Sequence, residues 1–277
     1  MAKSPNALKN ISKTVSSLRK YQPKSYTPIL AILLIVAAFL VGVLFTKVQY
    51  LEKGSTTVNT NVTSTDGTTQ APSVSIESIK GLFKKGNIYF GDANKKNLFV
   101  EVADPSCPYC HIAAGLNPEL SKQVGPNFTY KSDGGSYVPP VIEMKKLVDS
   151  GQAGFVWIYT PGHGNGEMGT KALYCAYEVG KFWEVHDKLM TNEGYDLLNN
   201  VVLNDKTKSG ELVNFLSSVI DSSALKQCVE SGKYDNKLSD DTSVAQTLGI
   251  TGTPGFYINT TLFGGAYSWT DMESALK

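Results

Sequence analysis

Two of the chain's four cysteines stand three positions apart, in Ala103-Asp104-Pro105-Ser106-Cys107-Pro108-Tyr109-Cys110-His111. Thiols at that spacing can close on each other, and proline directly after Cys107 suits the first position of a helix. If Cys107 caps that helix, its sulfur sits where unpaired backbone N–H groups and the positive end of the helix dipole converge, and a thiolate is favoured. A lowered pKa makes Cys107 both an attacking and a leaving group at neutral pH. Cys110, one turn further in, can then displace a partner attached to Cys107. The predicted chemistry is thiol–disulfide exchange by the cysteine pair alone, with no cofactor and no metal.

The elements that must position this pair are legible on either side of it. Leu98 to Ala103 is a short apolar run suited to a strand buried on both faces, and Asp104-Pro105-Ser106 is a turn. Strand, C-x-x-C and helix in that order distinguish a thioredoxin-like redox motif from a zinc knuckle. Zinc would need two more ligands at short spacing, and Cys175 and Cys228 are isolated. Glu101 is the one charged residue of the strand; desolvated there, its carboxyl would have a raised pKa and could relay the proton of the resolving thiol. The alternative is an acid at a solvated strand edge. Pro108 and Tyr109 are expected to tune the thiolate by leaving backbone N–H groups free to donate. His111 either helps favour the thiolate or is an ordinary helix residue, and His186 is expected to be structural. Gly164-Asn165-Gly166-Glu167-Met168-Gly169 matches a dinucleotide fingerprint, but no partner strand follows at the required distance. These glycines are expected to form a tight surface turn.

The chain has 277 residues and a net charge of +1. Residues 1–28 carry six Lys or Arg and no acid, whereas residues 74–277 carry 18 Lys or Arg against 23 Asp or Glu. The acidic remainder lacks the basic footprint of a nucleic-acid binder. After the basic segment, Ile29 to Phe45 has no charged or strongly polar side chain, close to the roughly 20 residues that span a bilayer. No small-x-small cleavage site follows, so residues 29–46 are expected to be an uncleaved transmembrane signal anchor with residues 1–28 cytoplasmic. That arrangement predicts a single-pass protein of the cell membrane with its catalytic part extracytoplasmic. Residues 47–74, rich in Ser, Thr, Asn and Gly, are expected to be a flexible linker.

Residues 75–277 are expected to form one α/β domain with a helical insertion over about 165–249. Short strands are predicted at 87–90, 98–103, 155–159 and 256–258. Within the insertion, one helix is predicted from Thr170 to about Met190, and others over 211–220, 222–231 and 233–248. Once Cys107 and Cys110 are assigned, Cys175 and Cys228 are left; in an oxidising compartment they are expected to form a structural disulfide across the helical block, the alternative being two buried thiols.

The strand into Cys107-Pro108-Tyr109-Cys110, then Gly180-Lys181-Phe182-Trp183-Glu184-Val185-His186-Asp187, then Leu248-Gly249-Ile250-Thr251-Gly252-Thr253-Pro254-Gly255-Phe256 together resemble the DsbA-like thiol:disulfide oxidoreductases, in their membrane-anchored bacterial branch. The resemblance implies a thioredoxin-like fold with an inserted helical domain and, with the anchor, one transmembrane helix before it. It implies a cis peptide bond at Thr253-Pro254 against Cys107, an acid beneath the site at Glu101, and extended substrate pairing with the Thr253 backbone. It also implies oxidation of folding cysteine-containing proteins and reoxidation by a quinone-linked membrane partner. The stretch 131–150 departs from the family's shorter connection. Two competing functions use the same thiols: a disulfide reductase or isomerase of opposite poise, and a thiol-based metal-binding chaperone.

Overall fold

The computed structural model describes residues 74–277. The basic segment, the expected anchor and the linker up to residue 73 lie outside the described residues. Among the described residues no helix is long and apolar enough to cross a membrane.

A short helix α1 (Ile76–Lys80), capped by the Ser75 hydroxyl, precedes strands β1 (Ile88–Phe90) and β2 (Asn97–Ala103). Helices α2 (Pro108–Ala114), α3 (Pro118–Val124) and α4 (Pro140–Asp149) follow, each with proline at its first position, and lead to β3 (Ala153–Tyr159). The helical block comprises α5 (Glu167–Glu178), α6 (Phe182–Leu189), α7 (Asn192–Asp196), α8 (Ser209–Leu216), α9 (Ser222–Glu230) and α10 (Asp235–Thr247). Strands β4 (Gly255–Ile258) and β5 (Thr261–Gly264) and helix α11 (Trp269–Met272) close the chain.

The strands form one mixed sheet in the order β1-β3-β2-β4-β5. β2 and β3 are parallel; the β1–β3, β2–β4 and β4–β5 pairs are antiparallel. With neighbours on both edges and helices on both faces, β2 is buried along its whole length, which is why it reads as a near-continuous apolar run. Alternation sorts its side chains. Leu98, Val100 and Val102 pack with Ile79 of α1 and with Ala245 and Leu248 at the end of α10. Phe99 and Ala103 face the other way, into a cluster that holds Cys107, Cys110 and the α5 and α6 residues Leu173, Phe182 and Val185. Each such fully buried large apolar side chain is worth about 1.5–3 kcal/mol, so the inserted helices and the redox helix share one stabilising core.

Two features of the block differ from the sequence expectation. The helix expected from Thr170 to Met190 is two helices, broken where Gly180 takes a left-handed φ of 69° and the Lys181 N–H donates back to Ala176 at 2.7 Å. Glycine adopts that conformation without the Cβ clash other residues meet. A π-helical turn over Leu197–Val202 was also not foreseen; it ends at Leu203 and Asn204, both at positive φ. The Asn204 side chain is well used there, accepting from the Met168 N–H at 3.3 Å and donating to the Gly164 carbonyl at 2.8 Å. A disulfide joins Cys175 on α5 to Cys228 on α9, with Cα atoms 6.0 Å apart.

Candidate active site

β2 delivers the chain to the turn Asp104-Pro105-Ser106, and Cys107 becomes the N-cap of α2 with extended backbone. Its side chain makes no capping bond to the helix, so the first-turn N–H groups remain available to a sulfur anion. Both thiols are free; Cys107 is 4% exposed and Cys110 fully buried. The Asp104 N–H donates to the Cys110 sulfur at 3.4 Å. The Cys107 sulfur lies 3.4 Å from the Thr253 carbonyl oxygen, to which the protonated thiol donates. The Thr253-Pro254 bond is cis, and the Thr253 hydroxyl is buried with no hydrogen-bond partner, free to turn to the sulfur when Cys107 ionises.

The two thiols are driven apart in acidity. A hydrogen bond from Cys110 holds Cys107 down at about 6; burial opposes it, and the Thr253 hydroxyl and the N–H groups of Cys110 and Tyr109 add to the lowering. Burial, followed by the bond to Cys107 and its charge, pushes Cys110 well above its ordinary value. At neutral pH the pair is therefore one thiolate at the helix terminus and one fully buried thiol, a split in acidity that suits thiol–disulfide exchange.

Glu101 lies in the central strand and is fully buried, not at a solvated edge. Burial raises its pKa to about 7, with His186 pulling the other way. His111 is fully buried, its Nε2 2.7 Å from the Pro105 carbonyl and its Nδ1 3.0 Å from that of Met190. Burial pushes His111 down to about 4, so at neutral pH the ring has one N–H, satisfies one carbonyl and brings no positive charge to the thiolate. Pro108 occupies the first helical position, and Tyr109 is 42% exposed with its ring 5.5 Å from that of Phe128. The stretch beyond α3 reaches the redox helix through the Tyr130 hydroxyl, which donates to the His111 carbonyl at 3.3 Å, and the segment after β5 through the Tyr137 hydroxyl, which donates to the Tyr267 carbonyl at 3.2 Å.

Comparison with known proteins agrees with this layout. A family model described as thioredoxin matches residues 143–277, a range that begins after the cysteine pair. Among solved structures, α-DsbA1 of Wolbachia pipientis is 21% identical with a TM-score of 0.52, covering 73% of this chain and 93% of that one. BdbD of Bacillus subtilis is 19% identical with a TM-score of 0.50, covering 69% and 91%. The fold is thioredoxin-like. A Na(+)/H(+) antiporter NhaA 3 of Salinispora tropica is 24% identical over 181 residues, 64% of this chain but 22% of that protein. The chain thus spans about a fifth of the length of the curated relatives it matches.

Within this thioredoxin-like frame, sequence reasoning missed Asp104. Its buried carboxylate accepts four hydrogen bonds: from the Ser106 N–H and hydroxyl at 2.8 and 2.7 Å, and from the Gly162 and His163 N–H groups at 2.7 and 3.0 Å. The Asn165 N–H donates to the Ser106 hydroxyl at 3.1 Å, and the Asn199 amide to the Ser106 carbonyl at 3.1 Å. The loop after β3 is thereby fastened over the cysteine turn. A Cβ on Gly162 would fall 1.7 Å from the Thr253 hydroxyl oxygen and 3.3 Å from the Cys107 Cβ, so only glycine lets the loop lie this close. The N–H groups of Gly162, His163 and Asn165 are spent on Asp104 and Ser106. An acid immediately after a buried strand, followed two residues later by serine, was the available signal.

Proposed function

We propose that this protein catalyses thiol–disulfide exchange, with Cys107 as nucleophile and Cys110 as resolving thiol, and that it passes its disulfide to folding cysteine-containing proteins outside the cytoplasm. The observation that carries this reading is the acidity split at α2: Cys107 held at about 6 at a helix N-terminus, directly over a buried Cys110 pushed far the other way. A substrate thiolate attacks the Cys107 sulfur of the Cys107–Cys110 disulfide. The S–S bond breaks, Cys110 leaves and takes a proton, and a mixed disulfide forms at Cys107. A second substrate thiolate then attacks the substrate sulfur of that bond, and Cys107 departs as a stable thiolate. Stabilising that leaving thiolate favours the reduced enzyme, so the pair tends to give its disulfide away.

Thr253 and Pro254 form the wall on which an extended substrate strand would lie, pairing with the Thr253 backbone. Glu101 serves as proton acceptor and donor for Cys110. Pro108 and Tyr109 keep the first-turn donors directed at the sulfur, and the Cys175–Cys228 bridge stiffens the helical block. The six-residue basic excess before the apolar run at 29–46 supports an anchor with its N-terminus in the cytoplasm, which would hold the enzyme beside a quinone-linked membrane reoxidase. Equilibrating the full-length protein with glutathione buffers separates oxidase from reductase. A potential well above that of the cytosolic thioredoxins is expected; one as low as theirs overturns the direction of transfer proposed here.

A further inference from the structure

The exchange reaction moves a proton on and off Cys110, which is fully buried, and the proton needs a route. Glu101 is near enough to Cys110 for its charge to push that thiol up. Both Glu101 carboxyl oxygens are buried without a hydrogen-bond partner, as are the Trp157 Nε1 and the His186 Nε2. A buried polar atom left unpaired costs about 1–3 kcal/mol, so four in one region of the core call for an explanation.

Their placement and chemistry match. Glu101 and Trp157 are register partners on the parallel strands β2 and β3, so their side chains leave the same face of the sheet. The Trp157 ring is 6.0 Å from that of Phe182, which stacks 5.7 Å from the His186 ring. His186 is 1% exposed, and its Nδ1 lies 2.9 Å from an Asp187 carboxylate oxygen. An Nδ1–H donating to Asp187 leaves Nε2 with a lone pair, an acceptor facing the interior. A protonated Glu101 offers one O–H to such an acceptor and one carbonyl oxygen to the Trp157 N–H. Donors and acceptors balance. On the other side of His186, Asp187 is half exposed and lines, with Lys145 and Lys146 of α4, a cavity of about 320 Å³ that also touches His186.

We propose that His186 is a positioning residue that acts on Cys110 through Glu101, connecting the buried carboxyl to solvent at Asp187. When the active disulfide is attacked, the Cys110 thiolate takes the Glu101 proton; the resulting carboxylate takes the Nε2 proton of His186 in its Nε2–H tautomer while Nδ1 takes a proton from solvent beside Asp187, which leaves the Nδ1–H tautomer. When Cys110 must attack, the same proton runs outward. One proton enters or leaves per turnover and no electron moves along the path. The groups that bear on it are Cys110 and His111 from α2, Trp157 from β3, Asp187 from α6, and Lys145 and Lys146 across the cavity.

This rests on exchange at Cys107–Cys110, and the test separates the two. Single-turnover oxidation of a peptide dithiol would be followed against pH in the full-length wild type, Glu101→Gln, His186→Gln and the double variant, with His186→Phe as a volume-filling control. Each Gln variant is expected to slow by about 10²-fold, the low end for lost acid–base catalysis, with the double variant no slower than either alone and the inflection near the Glu101 pKa of about 7 lost in all three. His186→Phe should be folded and equally slow. Losses that multiply to about 10⁴-fold in the double variant, or a His186→Gln protein with the wild-type pH profile, overturn the relay. A wild type with no exchange at any pH sinks the exchange reading itself.

Discussion

Replacing Cys110 by alanine isolates what makes Cys107 acidic, because the Cys110 hydrogen bond is the largest cause of its fall from the ordinary 9.0 to about 6. A hydrogen bond to a charged group is worth about 1.5–3 kcal/mol, or about one to two pKa units. The Cys107 thiol of the variant is therefore expected to titrate at about 7 to 8. The sign for stability follows from the depressed pKa: the thiolate stabilises the reduced fold in full above the unfolded value and is lost as pH falls through about 6. At pH 7 only the one unit above the folded pKa counts, about 1.4 kcal/mol, which raises the potential by about 30 mV. Ultraviolet thiolate absorbance reads the titration, since Cys175 and Cys228 are bonded and silent. A Cys110→Ala protein still titrating near 6 would show that the helix terminus and Thr253 hold the anion without Cys110. A wild-type value near 9 would remove the thiolate altogether.

Glu101→Gln should stabilise the protein above pH 7 and leave it unchanged near pH 4. The wild-type carboxyl, raised from 4.5 to about 7, costs stability progressively across that interval, to a ceiling of about 3 kcal/mol; denaturant unfolding at the two pH values checks it. Gly162→Ala pushes the loop off Thr253, and displacement of reacting groups by about 1 Å can cost about 10²-fold in rate, so exchange should fall that far while circular dichroism stays native. Replacing both Cys175 and Cys228, which close a loop of sequence separation 53, should lower stability by about 4 kcal/mol in the chain-entropy model while leaving the Cys107 titration in place.

What was legible in the sequence was local. The C-x-x-C with proline at the first helical position and the apolar run of β2 are statements about neighbours within one turn or one strand, where propensity and sterics decide. Asp104 escaped because its partners at Gly162 and His163 are 58 and 59 residues away, and a carboxylate in a turn is ordinarily solvated. The glycines at 164–169 are visible as a cluster, but the need for Gly166 comes from its approach to Asp104, which is tertiary. Glu101 was singled out as a charge in an apolar strand; only the sheet order, which sets β2 between β3 and β4, decides between a buried acid and a solvated edge. The break at Gly180 was misread because the apolar periodicity of α5 resumes in α6, masking a glycine whose left-handed φ turns the chain.

The central claim is that Cys107 alone forms the covalent link to substrate. Incubating full-length Cys110→Ala protein with a peptide disulfide traps that link, because the resolving thiol is gone, and peptide mapping locates it. The peptide is expected on Cys107, with Cys175 and Cys228 still joined to each other. A peptide found on Cys175 or Cys228, or a Cys107 left unmodified, would contradict it.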